Sequence, residues 1–263
     1  MQLIADNLRI TKPDIRHALK HLDPGPVQAL VKKCVARRPY AIDVNTGPLG
    51  KYSEQGMRFF MDAVQGVTDL PLLIDTANPA AMEAGAKAAK NRIILNGFSL
   101  EPRKLKTILP LAREFDADIV GFLLYPDSRV PTDAAQRFDI ALELMEKAEA
   151  AGVAKERVII DPVIPPLAWA DGIFQVGQVL QVIRTLPDLL GFPVKTIGGI
   201  SNLGTNAPDK GNRLIIEQSY IAMLASAGLD YALLDILNAD LVRAAQVSDI
   251  LATQDIFSWG MVP

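Results

Sequence analysis

Along this chain, short apolar runs repeatedly close on a small polar residue. Ala41-Ile42 runs into Asp43, with Asn45 two residues on, and Leu72-Leu73-Ile74 runs into Asp75. Ile93-Ile94-Leu95 ends on Asn96, Val158-Ile159-Ile160 on Asp161, and the run from Val194 to Ile200 on Ser201 and Asn202. Most of these runs are Leu-rich or β-branched without alternation, as parallel strands covered on both faces are. They predict strands at Leu3–Ala5, Ala41–Val44, Leu72–Asp75, Ile93–Asn96, Ile119–Leu124, Val158–Asp161, Lys195–Ile200 and Tyr231–Ile236. Helical patterns lie between them. Pro26 to Ala36 places Cys34 at an apolar-side spacing, and Gln55 to Val67 is amphipathic. Asn78-Pro79 offers an N-cap and a first-position proline to an Ala-rich helix reaching Lys90. Thr132-Asp133 starts a helix through Ala151 that Gly152 closes, Asn212 to Ala227 ends at Gly228, and Asp240 to Thr253 is the last. Strands alternating with helices in this way predict one α/β domain over residues 1–263, a TIM (β/α)8 barrel. In such a barrel the strand ends converge on one mouth, so the Asp and Asn residues build one polar pocket.

Composition narrows the chemistry. The 263 residues carry a net charge of −3, and the 27 basic residues are scattered. Lys32-Lys33 and Arg37-Arg38 read as solvated helix edges, and a nucleic-acid partner is not expected without a basic surface. No apolar stretch approaches the roughly 20 residues that span a bilayer, and the Met1-Gln2-Leu3-Ile4-Ala5-Asp6 start lacks the basic flank of a secretion signal. A cytoplasmic protein is expected. Cys34 is the only cysteine, and His17 and His21, four apart on one helix face, have no carboxylate cluster beside them. No metal is expected to be bound by this chain.

Without a catalytic histidine or cysteine the pocket is poorly equipped for nucleophilic chemistry, and it has neither a G-x-S-x-G elbow nor a P-loop. Asp and Asn side chains at several depths suit a flat heterocycle instead. A carboxylate accepts two N–H groups from an amino-pyrimidine edge, and an amide both donates and accepts. For a single strand-end aspartate, capping of the following helix is an equally good explanation. Five strand ends of this kind favour a pocket. The segment Ser201 to Gly211, rich in Gly, Asn, Pro and Asp, is expected to be a functional loop over that pocket.

The motifs resemble the pterin-binding methyltransferases that work with corrinoid proteins, such as the methyltetrahydrofolate:corrinoid/iron–sulfur protein methyltransferases and the folate-side enzymes of O-demethylase and glycine-betaine systems. The resemblance is carried by DVNTGP (43–48), LLIDTANPAAMEAGAKAAKNRIILNG (72–97), IIDPVI (159–164), GGISNLG (198–204) and NRLIIEQSYIAMLASAGLD (212–230). It is colinear over nearly the whole chain. It implies tetrahydrofolate or 5-methyltetrahydrofolate as substrate, cobalamin carried by a partner corrinoid protein, and a homodimer. It also implies residue roles. Asp75, Asn96 and Asp161 hold the pterin edge, and Asp43 and Asn45 support the floor. Ser201 belongs to the pterin site, Asn202 reaches N5 where the methyl group moves, and Arg213 lies on the corrinoid side.

Two departures from that pattern stand out. The first strand end reads Ala5-Asp6-Asn7-Leu8-Arg9 in place of a Gly-Glu-Arg-Ile-Asn-like sequence, with Asp6 keeping a carboxylate. The loop after Asn202 adds Pro208-Asp209-Lys210-Gly211. The competing readings are a dihydropteroate synthase-like enzyme and a non-catalytic pterin-binding protein. A synthase is expected to carry a cationic Ser-Arg-Lys-like motif where this chain has Ser201-Asn202-Leu203. Neither histidine stands in the Asp-x-His-x-x-Gly pattern of a base-off cobalamin domain. The resemblance therefore places the corrinoid on another protein.

Overall fold

A computed structural model of the chain, described for residues 1–47, 53–253 and 256–263, is a closed barrel of eight parallel strands in sequence order. The strands are β1 (Gln2–Arg9), β2 (Ala41–Asn45), β3 (Leu72–Asp75), β4 (Ile93–Phe98), β5 (Asp118–Phe122), β6 (Val158–Asp161), β7 (Lys195–Gly199) and β8 (Tyr231–Leu234). Around them lie α1 (Pro13–His21), α2 (Pro24–Val35), α3 (Ser53–Gln65), α4 (Pro79–Ala88), α5 (Pro102–Thr107), α6 (Leu109–Glu114), α7 (Ala134–Ala150), α8 (Gly172–Leu190), α9 (Lys210–Ala227) and α10 (Ala239–Ala252). The predicted (β/α)8 barrel is the fold. Pro48 of the DVNTGP motif lies outside the described residues. Among the described residues no helix is long and apolar enough to cross a membrane.

Helix boundaries follow local chemistry. The Asn78 side chain accepts from the amides of Ala80 and Ala81, with Pro79 at the first position of α4. Asp133 caps α7 by accepting from Gln136 N at 2.9 Å, and Gly152 follows that helix at φ +76°. Gly228 closes α9 at φ +93°, a conformation that a glycine adopts without a Cβ clash. Cys34 is buried in α2, and burial pushes its thiol up to about 11. His17 and His21 are exposed on α1 with ring centroids 4.3 Å apart, as a surface helix requires.

Several elements differ from their predicted form. The first strand continues past Ala5 to Arg9. α5, α6 and α8 have no counterpart in the sequence reading; α8 holds Pro187 within its span, and α5 and α6 are 6 residues each. The expected loop Ser201–Gly211 is shorter, because Ile200–Asn202 form a 3-10 turn and Asp209 caps α9 by accepting from Asn212 N at 2.8 Å. Lys210 and Gly211 belong to that helix.

Two apolar layers fill the molecule. One, with Leu72, Ile74, Leu95, Ile119 and Ile160, lies between barrel and helices. The other lies inside the barrel: Ile4, Ala41, Leu73, Ile94, Val120, Ile159, Ile197 and Tyr231. Side chains two apart in a strand share a face, so the inner set fixes which later residues point inward. Asp6, Asp43, Asp75, Asn96 and Asp161 each stand two residues beyond an inner-layer member.

Candidate active site

The strand ends enclose a cavity of about 240 Å3 at the C-terminal mouth of the barrel. The polar groups on its wall include Asp6, Asp43, Asn45, Asp75, Asn96 and Asp161, with Ser201 and Asn202 at the seventh strand end. Every sequence-predicted pterin-site residue and Asn202 is therefore brought to one cavity. Strand register sets their depth. Asn45, Asp75 and Asn96 are partners across β2, β3 and β4 and form one row. Asp43 pairs with Leu73, one step deeper, and is buried.

The carboxylates differ by surroundings. Asp75 accepts from Asn45 Nδ2. Burial pushes its acid up to about 6, with the Asp6 charge adding to the rise and hydrogen bonds from Asn96 and Asn45 opposing it. Asp161 accepts from Val163 N at 2.8 Å through Oδ1. Burial pushes it up to about 7, and that backbone bond only partly opposes the rise. Asp43 is held well above the usual carboxylate range, by burial first and then by the facing Asp75 and Asp6 charges. Its Oδ1 is buried without a hydrogen-bond partner among the described residues. An orphaned buried oxygen is costly unless something that enters the cavity satisfies it.

Asn202 contributes an amide at the rim. Gly199 has no side chain there, and a Cβ on it would lie 3.3 Å from Asn202 Nδ2. The amide group thus lies over the strand end. Gly97 plays a similar part beside Asn96: a Cβ there would sit 2.2 Å from the carbonyl oxygen of Val120. The neighbouring Leu203 is buried and cannot present a polar group. The position after Ser201 is thus amide and apolar, without the cations of a Ser-Arg-Lys motif.

Two arginines, one lining the cavity and one buried behind its wall, escaped the sequence reading. Arg9 lines the cavity and pairs with Asp6, while its Nη2 donates to Ser201 Oγ at 3.1 Å. Simple alternation from Ile4 and Asp6 would turn Leu8 inward. A register shift between Ala5 and Leu8 instead sends Leu8 to the outer layer and sets Arg9 opposite Asn45. Nothing in the residue order announces that shift. Arg137 is fully buried on α7 and donates to Pro162 O at 3.1 Å, to Gln175 Oε1 at 3.3 Å and to Asp133 O at 3.3 Å. Burial lowers its guanidinium to about 10. Its polar partners hold the turn that carries Asp161.

Arg213 lies elsewhere. Its Nε donates to Glu217 at 2.7 Å and its Nη2 to Ser201 O at 3.2 Å, and it faces a neighbouring cavity of the mouth.

Comparison with known proteins matches this architecture. The model of a family described as pterin binding enzyme matches residues 41–235. The methylcorrinoid:tetrahydrofolate methyltransferase of Eubacterium limosum is 23% identical over 260 residues, 97% of this chain and 92% of that protein. Among solved structures, dihydropteroate synthase of Xanthomonas albilineans with 4-aminobenzoic acid superposes with a TM-score of 0.69 at 19% identity, over 97% of this chain and 93% of that one. Dihydropteroate synthase of Coxiella burnetii in complex with pteroic acid gives 0.66 at 15% identity, over 97% and 94%. These structures share the fold.

Proposed function

The chain belongs to the pterin-binding enzyme family, and from that premise we propose that it transfers a methyl group between N5 of tetrahydrofolate and the cobalt of a corrinoid carried by a separate protein. The observation that carries the reading is the mouth itself. Asp75, Asn96 and Asp161 face one cavity as acceptors and donors for a pterin edge, and an amide, Asn202, follows Ser201 at the position where a Ser-Arg-Lys motif would carry a cation. The full-length similarity to a methyltransferase of this type supports it further.

The residues act on the ring and on N5. Asp161 and Asp75 accept the N–H groups of the amino-pyrimidine edge, and Asn96 matches a ring carbonyl or ring N–H beside them. Asp43 supports this set from one step deeper, and Asn45, in the same row as Asp75 and Asn96, orients the Asp75 carboxylate. Methyl transfer from N5 requires more positive charge on that nitrogen, because a tertiary amine leaves poorly. Asn202, through a hydrogen-bonded network with the nearby carboxylates, stabilises the protonated N5. Its fixed dipole is electrostatic preorganisation rather than a dedicated acid. In the opposite direction the same contact orients the N5 lone pair. The corrinoid, brought by its carrier to the open mouth, supplies the metal that gives or takes the methyl group.

The test is Asn202→Ala. Pterin affinity should change little, and methyl transfer followed through cobalt absorbance should slow by roughly 10²–10³, by analogy with deleting one preorganised hydrogen-bonding group; here the amide oxygen accepts from the protonated N5. An unchanged rate with pterin still bound would remove Asn202 from the mechanism. Folate binding without turnover by any corrinoid partner would leave a pterin-binding protein only.

A further inference from the structure

A second cavity, of about 350 Å3, opens beside the first. It lies between the ends of β1 and β8 and the first turns of α9 and α10, and it shares Asp6, Arg9 and Ser201 with the ring cavity. The two cavities differ in charge. The ring cavity gathers carboxylates, with Arg9 as its cation. The second is lined by Arg9, Lys12, Lys210 and Arg213 against Asp6, Glu217 and Asp235.

The acids of the second cavity are already engaged. Asp6 pairs with Arg9, Glu217 pairs with Arg213, and Asp235 accepts from Asn7 Nδ2 and from Leu237 N. Lys12 and Lys210 are exposed and make no ion pair with a described residue. Arg213 is fixed in the wall, its Nη2 on Ser201 O and its stem packed on Gly204, where a Cβ would come within 2.6 Å of Arg213 Cγ. Glycine at 204 is what admits that side chain beneath the loop.

We infer that this second cavity receives the carboxylates of the folate's aminobenzoyl-glutamate tail. The inference rests on the pterin reading above. The ring cavity repels an anion, so the tail carboxylates must lie outside it. On the substrate, the carbon that bears the tail adjoins N5. With N5 at Asn202, the tail leaves the ring on the side of the segment joining β7 to α9. Ser201 belongs to both cavities, and Lys210 and Arg213 follow on the first turn of α9. The tail's path thus leads from an anionic ring pocket to the neighbouring wall whose positive charge is uncompensated. Lys12 and Lys210 supply long-range attraction, and Arg213 supplies oriented donors.

The test compares ligands that share the ring and differ in the tail. Equilibrium affinities at low salt are measured for 5-methyltetrahydrofolate, for its triglutamate form, and for an N5-methylated tetrahydropterin lacking the aminobenzoyl-glutamate. The proteins are the native chain and the double variant Lys12→Ala/Lys210→Ala, both substitutions being at exposed positions. The variant should bind 5-methyltetrahydrofolate about fivefold more weakly and the triglutamate more weakly still, and the tail-less pterin within roughly twofold of native, the range of two solvent-exposed charge contacts. Equal loss for all ligands, or no loss for the folates, would overturn the tail assignment. If the native chain binds the tail-less pterin as tightly as the folates, the tail assignment alone fails. If it binds no pterin at all, the ring reading fails with it.

Discussion

In β3, Leu73 and Asp75 point to the same side of the sheet, as do Ile94 and Asn96 in β4 and Ile159 and Asp161 in β6. Each pair is one pleat apart, yet the two levels of the barrel interior behave oppositely. The lower level is a dry plug of Ile4, Ala41, Leu73, Ile94, Val120, Ile159, Ile197 and Tyr231, closed below by the Tyr40 and Tyr231 rings at 5.2 Å. The upper level is a set of carboxylates held above their ordinary range, with one buried oxygen that has no partner among the described residues. The plug gains stability from burial. The mouth gives some of it up, and a ligand that supplies N–H donors recovers it. The difference teaches that a two-residue step along a strand separates what holds the fold from what does the binding.

The plug should give the largest change in stability. Leu73→Ala removes a fully buried side chain from the inner layer. It should destabilise the protein by about 2–5 kcal/mol in chemical denaturation, with the spread set by how far the plug relaxes into the cavity. Pterin affinity of the remaining folded protein should hold, because Leu73 does not line the ring cavity. A loss of affinity with little loss of stability would erase the distinction between the two levels.

Asp161→Asn should act in the opposite direction. Burial pushes Asp161 up to about 7, above the ordinary carboxylate value of 3.8. A raised acid contributes stability that is complete below about pH 4 and is lost as the pH rises through about 7. The asparagine variant does not suffer that loss. It should be more stable than native by on the order of 2 kcal/mol at pH 8, with the gain vanishing below about pH 4. Folate affinity should nevertheless fall by at least about tenfold, because an ionised acceptor is gone. In the native protein, affinity should decline as pH drops below 7, approaching tenfold per unit where one proton must leave on binding. Denaturation and binding measured across pH 5 to 8 check both statements. A variant that is less stable at pH 8 would contradict the raised acid.

The strand ends were legible because a parallel strand buried on both faces has few reasons to end on Asp or Asn. Asp75, Asn96 and Asp161 thus declared themselves, and the pleat did the rest. Arg9 did not, since the register shift in β1 is a property of β1 against β2 and leaves no mark on β1 alone. Arg137 was hidden for a different reason: an arginine on an amphipathic helix reads as surface, and only the tertiary packing of α7 against the β6 end buries it. α8 was missed although it is 19 residues long, because Pro187 and Gly177 interrupt its periodicity. The Gly, Asn, Pro and Asp content after Asn202 extends the expected loop to Gly211, but Asp209 caps the helix and Lys210 begins it.

Asp43 sits between the two levels and gives the smallest expected effect. It stands in the register row of Leu73 yet reaches the ring cavity. Burial and the facing Asp75 and Asp6 favour its protonated form. A protonated carboxyl and an asparagine amide are both neutral and nearly the same shape. Asp43→Asn should therefore change stability at pH 7 by less than about 1 kcal/mol, the range of one exchanged hydrogen bond, and pterin affinity correspondingly little. The contrast with Asp161→Asn is the point of the pair: the same substitution meets a group that burial and two facing carboxylates, rather than burial alone, push toward its neutral form. If Asp43→Asn instead matched Asp161→Asn in lost affinity and gained stability, Asp43 would be ionised in the working protein. The boundary between plug and binding level would then lie one residue row lower than the geometry draws it.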